Sequence, residues 1–180
     1  MIQQKMLGLL LFLAPALVNA QETTNPRVSP VAIASAHYKD TYLKVVYGQP
    51  QKKGRVIFGN VVPYGQVWRT GANESTEFTF TKDITINATV VPAGTYSLFT
   101  IPEPEKWTII LNRDLGMWGS YQYNSKVDAI RFEVPVQLLS DVVYEPFTIA
   151  LEQKNDKVEM SLMWDNIKVM FPIQCTEPKP

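Results

Sequence analysis

The chain has 180 residues, and its 17 basic and 17 acidic side chains cancel, so no cationic surplus exists to draw in nucleic acid or an anionic membrane surface. Nearly half of the residues are hydrophobic, and a chain of this size buries roughly 70% of its unfolded surface, enough to fold without a staple. One cysteine, Cys175, rules out an internal disulfide.

The opening twenty residues carry a single charge, Lys5, then an apolar run from Met6 to Val18, then Val18-Asn19-Ala20 before Gln21. This charged, apolar, small-residue order is that of a secretory signal peptide. A membrane span needs about 20 apolar residues, more than this Pro15-interrupted run supplies. The expectation is a signal peptide over 1–20, a domain over 21–175 and a flexible tail over 176–180. The mature chain would have no membrane span and a periplasmic or extracellular address. Losing Lys5 leaves 16 basic against 17 acidic residues, a net charge of −1.

Beyond residue 30 the pattern is one of alternation. Val31 to His37 and Leu43 to Tyr47 read as a pair of strands about Lys39-Asp40. Phe78 and Phe80 alternate with threonines, and Ile84 and Ile86 flank Thr85. Trp107, Ile109 and Leu111 share a face, as do Ile130, Phe132, Val134 and Val136. Three further runs end the chain: Phe147 to Leu151, Val158 to Trp164 and Ile167 to Phe171. Such period-two runs are half-buried strands. Turn signals separate them at Lys82-Asp83, Asn87-Ala88, Pro92-Ala93-Gly94, Pro102-Glu103-Pro104, Asn155-Asp156 and Asp165-Asn166. Their spacing predicts an all-β, antiparallel β-sandwich of about eight to ten strands. The uneven strand lengths favour a sandwich over a closed barrel. In Tyr96-Ser97-Leu98-Phe99 both faces are apolar, which predicts a central strand covered on each side.

Two segments do not alternate: Gly48 to Glu74, and Asn112 to Lys126. Irregular stretches of this length inside a compact domain are commonly functional. Both are expected to fold over one end or one face of the strands. The first ends in Trp68-Arg69-Thr70-Gly71-Ala72-Asn73-Glu74, and the second holds Asp114, Trp118, Tyr121 and Tyr123. Aromatic faces beside directed polar groups are how proteins hold sugars and peptides. The candidate ligand-binding residues are therefore Trp68, Arg69, Asn73 and Glu74 on one wall and Trp118, Tyr121 and Tyr123 on the other. The competing structural reading has Trp68 in the core, Arg69 paired with Glu74, and Gly65 and Gly71 serving turns.

Catalytic signatures are sparse. His37 is the one histidine, and with Cys175 far from it no metal-ligand set forms, so neither a metal nor a cofactor is expected. No nucleophile elbow or phosphate loop occurs. Paired carboxylates remain open, with Glu74, Glu77 and Asp114 available, and a hydrolase would need two of them about 5–10 Å apart across a cleft. The composition favours a non-catalytic module binding a glycan, peptide or envelope component. The alternatives are an acidic-residue hydrolase and a structural or assembly module of the envelope. Oligomeric state leaves no mark in the sequence.

Four phrases occur in order: Gly54-Arg55-Val56-Ile57-Phe58-Gly59, Val62 to Glu74, Pro92 to Thr100, and Trp107-Thr108-Ile109-Ile110-Leu111-Asn112. In these the chain resembles the exported bacterial proteins grouped as the domain of unknown function numbered 2911. The resemblance implies a β-rich domain and a secreted, periplasmic or outer-surface address. It brings no established activity, so no catalytic residue is carried over.

Overall fold

Alternating sequence becomes hairpins here because the turn residues tolerate left-handed backbone. The computed structural model describes residues 26–175, so the expected signal peptide and tail lie outside the described residues. Val31–Tyr38 (β1) and Thr41–Gly48 (β2) pair antiparallel around Lys39, whose φ is 52°. Asn87 and Ala88, at φ 48° and 60°, join Ile84–Ile86 (β4) to Thr89–Val91 (β5), the mirror-image turn that matches strand twist. Asn155 does the same between Tyr144–Lys154 (β9) and Lys157–Asp165 (β10), which is followed by Ile167–Cys175 (β11). The remaining strands are Thr76–Phe80 (β3), Gly94–Pro102 (β6), Lys106–Asn112 (β7) and Asp128–Leu138 (β8). Among the described residues no helix is long and apolar enough to cross a membrane, which says nothing of strands.

The all-β, antiparallel expectation holds, but the layering differs. The strands make one sheet in the order β1-β2-β3-β6-β7-β8-β11-β10-β9, with β4 pairing β11 and β5 off this path. That sheet curls until its ends meet, nearly closing a barrel, where two separate layers were expected. β9 lies against β1, and the chain just past β2 pairs onto β9 through Phe147 N to Pro50 O (2.9 Å) and Lys52 N to Glu145 O (2.7 Å). Two features favour curling. β8 and β9 are 11 residues long, and register shifts interrupt pairing at Leu111/Asn112 and Met163/Asp165. Irregularities of that kind bend a strand and increase its twist. Uneven strand length therefore does not argue for a sandwich.

The inward faces make one large core. At one end Phe58, Trp68, Trp107, Phe147 and Trp164 pack ring to ring, with Trp68 stacked on Trp164 at 5.9 Å and 16°. A second, smaller core lies on the outer side of β6 and β7. There Phe99 and Ile110 are covered by Met117, and Val67 and Tyr123 pack alongside. β6 is thus buried on both faces, as its residues predicted, because the Asn112–Lys126 segment folds over it.

The last residue of β2, Gly48, touches backbone. A Cβ there would come 2.1 Å from Ala72 O, and one on Gly71 would come 2.9 Å from Gly48 O. No side-chain rotation relieves a backbone contact this short. Gly48→Ala is expected to lower stability by about 1–3 kcal/mol, the usual cost of overpacking, measured by urea denaturation. An unchanged midpoint would show that the two segments do not press together.

Candidate functional site

The Trp68–Glu74 phrase is a bulge of unusual size in the sheet. Trp68 pairs with Thr100 of β6, with Trp68 N to Thr100 O at 2.7 Å and Thr100 N to Trp68 O at 3.0 Å. Thr76 of β3 pairs with Leu98. Residues 69–75 therefore stand opposite Phe99 alone and are pushed out of the ladder. The excursion is closed at its base by Thr76 N to Arg69 O (3.2 Å) and Thr76 Oγ1 to Thr70 O (2.7 Å). Ala72 N donates to Gly48 O at 3.1 Å, and the Trp68 indole N–H donates to Gly71 O at 3.0 Å. Thr70 and Asn73 sit at φ 54° and 65°, the left-handed region that costs a β-branched residue most. Thr70 is held there, fully buried, by hydrogen bonding of its hydroxyl to Thr100 Oγ1 (3.1 Å).

Beside this excursion is a cavity of about 470 Å³, lined in part by Arg69, Asn73, Trp68, Trp164, Lys53 and Arg55. That size suits a small-molecule ligand. Trp68 is 8% exposed and Trp164 1%, so the indoles form a floor rather than free stacking faces. Asn73 is tied down by Nδ2 to Ser29 O at 3.2 Å. Arg69 is not tied down. Among the described residues it has no ion pair, and its Nε is buried without a hydrogen-bond partner. Burial lowers its pKa, opposed by a lesser electrostatic effect of Tyr121, yet a guanidinium stays protonated at any ordinary pH.

The second irregular segment does meet the first. Ser75 N donates to Met117 O (2.8 Å), Gly119 N to Asn73 O (3.0 Å) and Ser120 Oγ to Val67 O (2.9 Å), and Glu74 bridges to Trp118 through the backbone. The two segments share a rim, but not all seven predicted residues share a pocket. Trp118 and Tyr121 are exposed on the surface and are not among the cavity's lining residues. Tyr123 packs edge-on against Phe99 at 5.1 Å. Its hydroxyl donates to Asp128 Oδ2 at 2.7 Å and accepts from Arg131 at 3.0 Å. Glu74 pairs with Arg27 at 2.8 Å, not with Arg69 as the structural reading had it. Its own backbone amide, opposed by burial and then aided by Arg27, holds its carboxyl below the usual range.

Glu74 instead lines a second groove of about 310 Å³ with Glu77, Arg27 and Gly116. His37 is exposed on β1, its ring 4.7 Å from that of Tyr42. Cys175 is buried, and burial pushes its thiol pKa up, which suppresses the reactive thiolate. No three His, Cys, Asp or Glu side chains cluster for a metal ion among the described residues. The cavity residues absent from the sequence prediction include Lys53, Arg55 and Trp164. Lys52-Lys53-Gly54-Arg55 is a visible basic run, but it becomes part of the site only when the chain past β2 docks on β9.

Tyr123 carries a pH signature. Burial first, then its hydrogen bond to Asp128, push its phenol up to about 12. The unfolded chain ionises near the ordinary value of about 10, so the native state holds the proton longer. This stabilisation is complete below pH 10 and is lost as pH rises toward 12. Tyr47 and Tyr96 are raised as well, so the single variant isolates the effect. Tyr123→Phe is expected to flatten the alkaline fall in stability, followed by denaturant melts from pH 9 to 12. A fall as steep as the parent's would place the effect elsewhere.

Comparison with known proteins agrees with the phrases quoted from the sequence. Neither curated proteins nor solved structures gave a match. A family model described as a protein of unknown function, DUF2911, matches residues 29–173, a span that takes in β1 through most of β11, both irregular segments and every described lining residue of the cavity except Val28. The chain belongs to the DUF2911 family.

Proposed function

We propose that the protein is an exported, non-catalytic binding module whose ligand enters the cavity beside Arg69. The observation that carries this reading is the Arg69 guanidinium, which lines a cavity of about 470 Å³ and whose buried Nε has no hydrogen-bond partner among the described residues. Half-buried cations are ordinarily given a partner, because burying an unpaired charge is costly. A cation left without one, on a strained excursion, fits a site kept ready for something else. Asn73 adds an amide at the same rim, and Trp68 closes the floor. Trp118 and Tyr121, outside the cavity, offer exposed aromatic faces for a longer ligand such as a glycan or peptide. Export, to the periplasm or beyond, rests on the signal-peptide pattern of residues 1–20.

A second reading has one observation in its favour. Glu74 and Glu77 line the same groove, as an acidic-residue hydrolase would require. Glu74, whose carboxyl pKa is lowered, would be the ionised member of such a pair.

A thermal-shift screen of the mature protein against glycans, peptides and small envelope components tests the binding reading. Arg69→Ala is expected to abolish the shift of any ligand found. Because the Arg69 side chain has no partner to lose among the described residues, the substitution should leave stability unchanged or raise it, within about 1 kcal/mol. Unfolding of the variant would mean instead that Arg69 is structural.

A further inference from the structure

The charges around the cavity narrow the ligand. Arg69, Lys53 and Arg55 all line it, and among the described residues no aspartate or glutamate does. Neighbouring carboxylates are already engaged. Asp165 pairs with Lys52 at 2.8 Å, and Glu145 accepts from the backbone N–H of Lys53 at 2.6 Å. Arg55 spends its Nε and one terminal nitrogen on the carbonyls of Lys52 (3.0 Å) and Gln51 (2.5 Å). Those bonds fix the guanidinium in place without cancelling its charge. Three cations thus line one cavity whose described lining residues include no counter-charge, and a bound anion would supply one.

Beside the polar Ser29, Gln51 and Asn73, the lining has an apolar and aromatic part that includes Trp68, Trp164, Val61, Val62 and Pro50. The indoles are packed into the core with their faces occupied by other rings, which disfavours a neutral sugar that must stack on an open face. Resting on the reading of this cavity as a ligand site, we propose that it takes an organic anion. A carboxylate or phosphate head would lie against Arg69, Lys53 and Arg55, with an apolar body over the Trp68–Trp164 floor. A guanidinium recognises either head through paired N–H donors.

Titration calorimetry of the mature protein with benzoate, phenyl phosphate and benzamide, all of one body shape, tests the assignment. Tryptophan fluorescence from the cavity floor gives a second readout. The expected result is that at least one anion binds, with the neutral amide weaker by about tenfold or more, as loss of a charge-assisted pair implies. The tighter of benzoate and phenyl phosphate identifies the head group. Arg69→Ala should weaken the anion to a similar extent. Lys53→Glu, at an exposed position that leaves folding intact, should also weaken it. Benzamide binding as tightly as benzoate, or anion binding insensitive to both substitutions, would overturn the assignment. So would a neutral ligand from the screen that competes at Arg69, and in that case the binding reading survives. Silence from all three probes overturns the anion assignment, and silence from the wider screen as well removes the binding reading with it.

Discussion

The Trp68 side chain is the constraint on which the rest of this structure depends. Its backbone is held to Thr100 by two hydrogen bonds, and its indole is packed among Phe58, Trp107, Phe147 and Trp164. Burying so large a ring contributes about 3–5 kcal/mol, judged by what its deletion costs in other cores. That is enough to hold the next seven residues out of the ladder. Without the anchor, Arg69 to Ser75 would have no fixed origin, and the cavity would lose its floor and its cation together.

The excursion is held mainly by hydrogen bonds and close backbone contact, with the one exposed Glu74–Arg27 pair at its end among the described residues. Thr70 and Asn73 take left-handed conformations, each costing about 1–3 kcal/mol. The offset comes from Gly48 and Gly71, whose missing side chains allow direct contact, and from the Asn112–Lys126 segment bonding to Asn73 and Ser75. The Arg69 side chain takes no part in this. Its neighbours hold the loop while it stays unpaired, a division that separates stability from the proposed binding role and follows the usual tension between the two.

Much of the fold was legible from alternation and turn residues. The Lys39-Asp40, Asn87-Ala88 and Asn155-Asp156 signals each mark a hairpin with a left-handed residue, and Phe99 was rightly expected to face a second apolar layer. Barrel against sandwich was not legible, because either arrangement buries one face of each strand and leaves the same alternation. What decides it is the chain past β2 pairing with β9, a contact between residues about a hundred positions apart. The site was partly legible for the same reason. Trp68, Arg69 and Asn73 stand out as a phrase, whereas Lys53, Arg55 and Trp164 reach the cavity only through that closure. Glu74 was misassigned to Arg69 because sequence proximity suggested a pair, while the left-handed turn at Asn73 accompanies a Glu74 side chain bonded to Arg27.

Closure of the barrel, the tryptophan anchor and the unpaired arginine thus form one chain of dependence. The amide protons of Trp68, Ala72 and Thr76 report on it directly, since each is donated across the base of the excursion. Native-state hydrogen exchange measures how firmly those bonds are held. The account predicts that all three exchange as slowly as the amides of β6. Exchange at the rate of the exposed turn around Gly54 would show that the excursion opens independently of the core, and that Trp68 does not hold it.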